Sequence, residues 1–178
     1  MGAQPHKTKK ERLKMISKKT AKAINAQINR EFYSAFLYLA MANDALAKGF
    51  KGAANWFSIQ FKEEQEHALK FSKYLQDQGV KVETAAIEKP KAEWKDLLEM
   101  FKDALEHEKK VTAWLGEIAE LALVEKDHAT QNMLQWFINE QVEEEANATD
   151  VIWMLDMSAG SKGALFMADK QLGKRGRS

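Results

Sequence analysis

The chain has 178 residues, enough for one domain with a sizeable core. It has no cysteine, a net charge of +1 and no apolar run long enough to cross a bilayer. Disulfides, thiolate metal sites, a general attraction to nucleic acid and a transmembrane helix are therefore not expected. With 45% apolar and 30% charged residues, two prolines and nine glycines, it reads as an amphipathic helical protein, soluble and cytoplasmic, with no secretory signal.

The first feature along the chain is basic. Lys7, Lys9, Lys10, Arg12, Lys14, Lys18, Lys19 and Lys22 stand against one acid, Glu11. No aromatic residue is interleaved, so nothing there points to base stacking. Residues 1–14 read as a solvated, disordered extension, with a phosphate-binding arm as the alternative, and residues 15–178 as the domain. A first helical pattern runs from about Lys18 to Ala47 and stops near Gly49. A second runs from about Gly52 to Gln78 and stops at Gly79. Residues 80–93, with β-branched residues and Pro90, read as a connection. A third helix is expected from about Trp94 to Glu125, a fourth from His128 to Met157, and a short fifth from Gly163 to Leu172.

The short connections make antiparallel hairpins of helices one and two, and of three and four. The second helix is roughly 40 Å long, and a connection of about fourteen residues reaches roughly 45 Å when extended, just enough to cross the bundle end to end. The fold expected is all-α: two hairpins joined by one long crossover. There is also an internal repeat. A shift of 77 positions carries Glu31 onto Glu108, Asn55 onto Asn132, Glu63 onto Glu140, Glu64 onto Gln141 and His67 onto Glu144. The hairpins look like copies related by an approximate two-fold axis, which would bring matching residues together at the centre.

Each long helix carries an apolar stripe interrupted by an acid near mid-length. Helix one reads Ile24, Ile28, Glu31, Ala35, Tyr38, Ala42; helix two reads Phe57, Phe61, Glu64, Ala68, Phe71, Leu75. Helix three reads Leu98, Phe101, Leu105, Glu108, Thr112, Leu115, Ala119; helix four reads Leu134, Phe137, Gln141, Glu144, Ala148, Val151. A buried, unpaired carboxylate is costly, and no lysine or arginine lies on these stripes. The bland reading places each acid at a stripe edge, reaching for water. Against it stand the matched heights in four helices and the repeat. Bound metal is the natural compensation, since Glu31, Glu64, Glu108 and Glu144 balance two divalent ions. His67, three residues from Glu64 on the same face, adds a nitrogen ligand, and Gln141 a neutral oxygen. This donor set disfavours structural zinc, calcium and magnesium, and suits a pair of iron or manganese ions.

The segments "NREFYSAFLYLAMA", "FKEEQEHALKF", "HEKKVT" and "LQWFINEQVEEEA" resemble non-haem bacterial or archaeal ferritins, over about Ile16 to Leu172. The resemblance implies a ferritin-like four-helix bundle with a short fifth helix. It implies a ferroxidase centre at Glu31, Glu64, His67, Glu108, Gln141 and Glu144, with Tyr38 beside it. It also implies oxidation of ferrous iron by oxygen or peroxide, and storage of ferric mineral in a homo-oligomeric cage of twenty-four subunits. Glu63 and Glu140 each precede a proposed ligand by one residue and alone read as a solvated acidic face. The resemblance makes Glu63, Glu140, Glu143 and Glu144 a third iron site. Haem-binding relatives carry a methionine between the Glu and His of the second helix and Glu-x-x-His on the fourth. Here Gln65, Glu66 and Gln141-x-x-Glu144 stand instead, so no haem is expected. Phe32, Phe36 and Leu39 make a second apolar stripe on helix one, which another subunit would cover, or which would anchor the crossover. Two other classes stay open: a di-iron oxidase or peroxidase on a small organic substrate, and a DNA-binding protective mini-ferritin-like protein using the basic arm.

Overall fold

The structure, a computed structural model, describes residues 16–176. The basic extension of residues 1–14 lies outside the described residues. Five helices follow in order: α1 (Lys18–Ala47), α2 (Lys51–Asp77), α3 (Leu97–Val124), α4 (His128–Met157) and α5 (Lys162–Leu172). No strand occurs among the described residues. The four long helices pack as two hairpins, α1 with α2 and α3 with α4, and α5 folds back against α2.

The helix limits follow from their caps. Ser17, Asp96, Asp127 and Ser161 each accept a backbone N–H three residues on, satisfying donors that the first turn leaves free. Asp96 also sets a correction: α3 begins at Leu97, not Trp94, because the Asp96 carboxylate takes the Glu99 N–H at 2.9 Å. Trp94 stays in the connection and is buried, its backbone N–H held by Asp44 at 3.0 Å and its indole N–H by Asp103 at 2.9 Å. α1 ends in a left-handed Gly49, φ +89°, with Gly49 N–H on the Leu46 carbonyl and Phe50 N–H on the Ala45 carbonyl. That closure favours glycine. The matching turn after α3 has the same two bonds around Lys126, which adopts φ +54° despite its side chain.

The crossover runs along α1, as the length argument requires. Asn25 accepts from Glu83 N–H at 2.8 Å, Asn29 donates to the Ala86 carbonyl at 3.3 Å, and Asp44 holds Trp94 near the far end. Asn25 and Asn29 lie on the helical face that continues through Phe32 and Phe36. The second stripe thus partly serves the connection. Phe32 and Leu39 are half-buried, while Phe36 is still 46% exposed.

The core falls into two apolar clusters at different heights. One gathers Leu37, Met41, Phe57, Trp56, Phe101 and Leu155; the other gathers Ile24, Ile28, Phe71, Leu115, Leu134 and Phe137. Each fully buried aromatic or aliphatic side chain contributes about 1.5–3 kcal/mol. Between the clusters every long helix supplies buried polar groups: Gln27, Glu31 and Ser34; Gln60, Glu64 and His67; His107 and Glu108; Gln141 and Glu144. The apolar stripes set the helix register, and this register brings the four acidic positions to one level.

Candidate metal centre

All six residues expected at the centre are buried, none more than 6% exposed. The snorkelling alternative therefore does not describe them. Glu31 on α1 and Glu64 with His67 on α2 each offer one ligand atom, and these atoms lie within 4.8 Å of one another. His67 Nδ1 is 3.7 Å from Glu64 Oε2. Glu31 Oε2 is buried and no neighbouring N–H or O–H satisfies it; only a proton on Glu31 itself allows a bond to Glu64. A divalent cation would fill that need, and the carboxylate–imidazole donor set suits iron.

Electrostatics matches the geometry. Burial first, then the Glu64 charge, pushes the Glu31 carboxyl well above the ordinary carboxylate range. Glu64 is likewise pushed well up by burial and by Glu108 and Glu144 across the bundle. Burial raises Glu108 as well, against hydrogen bonds from Tyr38 and Gln141 that favour its charged form. Glu144 is raised to about 7 by burial, then by Glu108, with Arg175 opposing. Without metal the site holds protons in place of cations.

The opposite half of the centre is tied by hydrogen bonds. Tyr38 O–H donates to one Glu108 oxygen and Gln141 Nε2 to the other at 2.9 Å. Gln60 Nε2 donates to Glu144 Oε2 at 3.0 Å. Burial and the surrounding acids push the Tyr38 phenol well above its ordinary value, so it acts here as a hydrogen-bond donor.

The further acids behave differently. Glu63 is half-buried, and one of its oxygens is taken by Arg175 Nη2 at 2.6 Å. Glu140 is half-buried and close enough to Lys70 to act on its charge, and Glu143 is exposed. Among the described residues, Glu31, Glu64 and His67 alone gather as a ligand cluster; Glu63, Glu140, Glu143 and Glu144 do not.

Three positioning residues escaped the sequence reading. Gln27 Nε2 donates to Glu31 Oε1 at 2.7 Å, and its own carbonyl takes a bond from Arg30, whose guanidinium lies 4.3 Å from the Trp114 ring centre. That arrangement fixes which end of the Gln27 amide faces the acid. Gln60 Nε2 likewise donates to Glu144, although the Gln60 carbonyl oxygen is buried without a partner. Gln27 stands four residues before Glu31, a signal available in the spacing; Gln60 stands four before Glu64 but bonds Glu144 on α4, which spacing does not show. His107 is buried with Nε2 2.7 Å from Ser34 Oγ, and burial plus Lys110 pushes it down to about 4, so it is neutral. Its place beside Glu108 was visible; its inward direction was not, because the expected stripe passed through Thr112, which is exposed.

The chain is similar to several known proteins. A bacterial non-heme ferritin of Staphylococcus aureus (strain MRSA252) is 39% identical over 161 residues, which cover 90% of this chain and 97% of that protein. The one from Staphylococcus haemolyticus (strain JCSC1435) is 38% identical over the same span. An open pore ferritin from the hyperthermophilic archaeon Archaeoglobus fulgidus superposes with a TM-score of 0.89 at 44% identity, over 90% of this chain and 99% of that one. A closed form of the same archaeal ferritin, engineered by site-directed mutagenesis, superposes with a TM-score of 0.88. Residues 21–158, from the first turns of α1 to the end of α4 and so every acid of the buried layer, match the ferritin-like domain, and the chain belongs to that family.

Proposed function

We propose that the protein stores iron, oxidising ferrous ions at the buried acidic layer and retaining the ferric product within a homo-oligomeric cage. The observation that carries this reading is the buried Glu31–Glu64–His67 cluster, with no lysine or arginine among the buried residues of the described chain to neutralise it. Iron is the substrate. Glu31 and His67 hold the first ferrous ion, Gln141 and Glu144 the second, and Glu64 and Glu108 are shared. Each ion gives one electron. With oxygen the pair and two protons yield hydrogen peroxide; with peroxide the same two electrons and two protons yield water. Protons leave Glu31, Glu64, Glu108 and Glu144 as ions bind, since every one of these carboxyls is raised in the metal-free protein. Tyr38 orients Glu108 as an outer hydrogen-bond partner.

Glu63, Glu140 and Glu143, with Glu144, form a third iron site that takes an ion from the central pair. No haem is bound. Twenty-four subunits form the cage, as the family resemblance implies. The test is aerobic addition of ferrous iron to metal-free protein, followed by ferric absorbance and by the size of the iron-bearing particle. Rapid ferric absorbance in a large soluble particle is expected. Oxidation without iron retention would point instead to an oxidase acting on an organic substrate.

A further inference from the structure

Arg175 lies three residues past the end of α5, yet it makes three contacts with α2, and its neighbour Gly176 makes a fourth. Its Nη2 donates to Glu63 Oε2 at 2.6 Å. Its guanidinium carbon sits 4.4 Å from the Trp56 ring centre. Its backbone carbonyl accepts from Asn55 Nδ2 at 3.2 Å. The next residue, Gly176, has φ +72° and lies so close to Ile59 that an added Cβ would stand 2.9 Å from Ile59 Cδ1. Asn55, Ile59 and Glu63 follow one another at four-residue steps, so the chain after α5 is laid along one face of α2 toward Glu63.

The guanidinium is a fork built to grip oxygens with two prongs. Here one prong holds Glu63, and the other, Nη1, is buried with no partner. Glu144 is near enough to feel the Arg175 charge, and it also feels Glu63. Glu63, one of the acids that would hold a third ion with Glu140, Glu143 and Glu144, is thus already paired with a cation. Trp56 and Asn55 keep that cation in place at the edge of the acidic layer.

We propose that Arg175 is a tethered competitor for the third iron site: its guanidinium neutralises Glu63 beside Glu144, and an ion leaving the central pair must displace it. This rests on the reading that Glu63 binds an ion at all. Displacement exchanges a fixed single charge for a mobile double one, so the third ion binds more weakly than the first two and passes on more readily. The Asn55 and Trp56 contacts keep the arginine close enough to return. If the ion pair only docked the chain end, metal affinity would not depend on it.

The experiment is an oxygen-free titration of assembled, metal-free protein with cobalt(II), followed by absorbance and calorimetry. The wild-type protein is expected to take two tight ions per subunit and a weaker third. Arg175→Gln keeps bulk and hydrogen bonding but removes the charge, and should tighten the third ion about tenfold while leaving the first two unchanged. Arg175→Lys should stay near wild type, and Glu63→Gln combined with Arg175→Gln should lose the third ion. An unchanged third affinity in Arg175→Gln overturns the competitor and leaves the third site standing. Two ions in every variant overturns the third site, and the competitor with it. A second reading uses the wild-type protein alone. Saturating cobalt(II) should speed tryptic cleavage after Arg175, seen by intact mass; an unchanged rate overturns displacement.

Discussion

Replacing Glu144 by glutamine should stabilise the metal-free protein, and only at neutral to alkaline pH. Burial raises the Glu144 carboxyl from the ordinary 4.5 to about 7. The folded state then binds this proton more tightly than the unfolded chain. Stability is highest below the unfolded value of 4.5, falls as pH rises from there, and reaches its full loss above about 7. At about 1.4 kcal/mol per unit, the loss is about 3 kcal/mol near pH 8 and under about 1 kcal/mol near pH 5. Glu144→Gln removes the charge but keeps an oxygen for Gln60 Nε2, now 3.0 Å away, so no donor is stranded. For a chain of this size, about 3 kcal/mol corresponds to roughly 6–12 °C in melting temperature. The assay is thermal unfolding of chelator-treated wild type and variant at both pH values, with assembly checked by size. The variant should melt several degrees above wild type near pH 8 and close to it near pH 5. The same shift at both pH values would refute the argument, because the effect would then not come from the titration of Glu144.

Three other outcomes follow from the same geometry. Glu64→Ala or Glu108→Ala should slow ferrous oxidation by at least about tenfold while assembly stays intact, since each removes a charge that the metal-free core holds unfavourably; wild-type rates in both variants would remove these residues from the centre. Glu140→Ala should keep the fast first phase of ferric absorbance and change the iron-to-oxygen ratio or later turnover, and loss of the fast phase would move Glu140 into the central pair. Lys126→Gly should stabilise the fold by about 0.5–1 kcal/mol in a chemical denaturation curve, because relief of the left-handed backbone exceeds the added freedom of the unfolded chain.

The spacing of apolar residues was enough to locate the four helices and the level of the acids, because burial on a helix follows a fixed angular period. It was less reliable at helix starts. Trp94 extended the apolar pattern, but the Asp96 cap set the boundary. The stripe on α3 was also misjudged: Val111, Ala104 and His107 turn inward, while Thr112 is exposed. A helix packed on two sides buries a wider arc than one stripe, and sequence alone does not say which neighbour covers its edges. Long-range partners were out of reach for a similar reason. The Tyr38–Glu108 and Gln60–Glu144 bonds join residues 70 and 84 positions apart, and Arg175 meets Glu63 across 112.

The internal repeat makes two similar halves, and the substitutions within it make them chemically unequal. Gly49 and Lys126 occupy equivalent turns, so the repeat persists in backbone even where the residue fits poorly. At the centre the difference bears on the chemistry. The α1–α2 half presents Glu31, Glu64 and His67 as a cluster in which one Glu31 oxygen has no amide or hydroxyl donor. In the α3–α4 half the equivalents of Glu64 and His67 are Gln141 and Glu144. Gln141 and Tyr38 occupy both oxygens of Glu108, and Gln60 occupies one oxygen of Glu144. An entering cation meets an open cluster on one side and a latched network on the other. The latch opens only when something replaces the hydrogen bonds from Gln141 and Gln60, each of which is a neutral donor to an acid. Ionising Glu108 does not loosen the latch, because the bonds from Tyr38 and Gln141 favour its charged form; only an ion that takes the Glu108 oxygens itself would replace them. On the proposed reading the nearly symmetric frame would fill in order, the open Glu31–Glu64–His67 cluster before the hydrogen-bonded half.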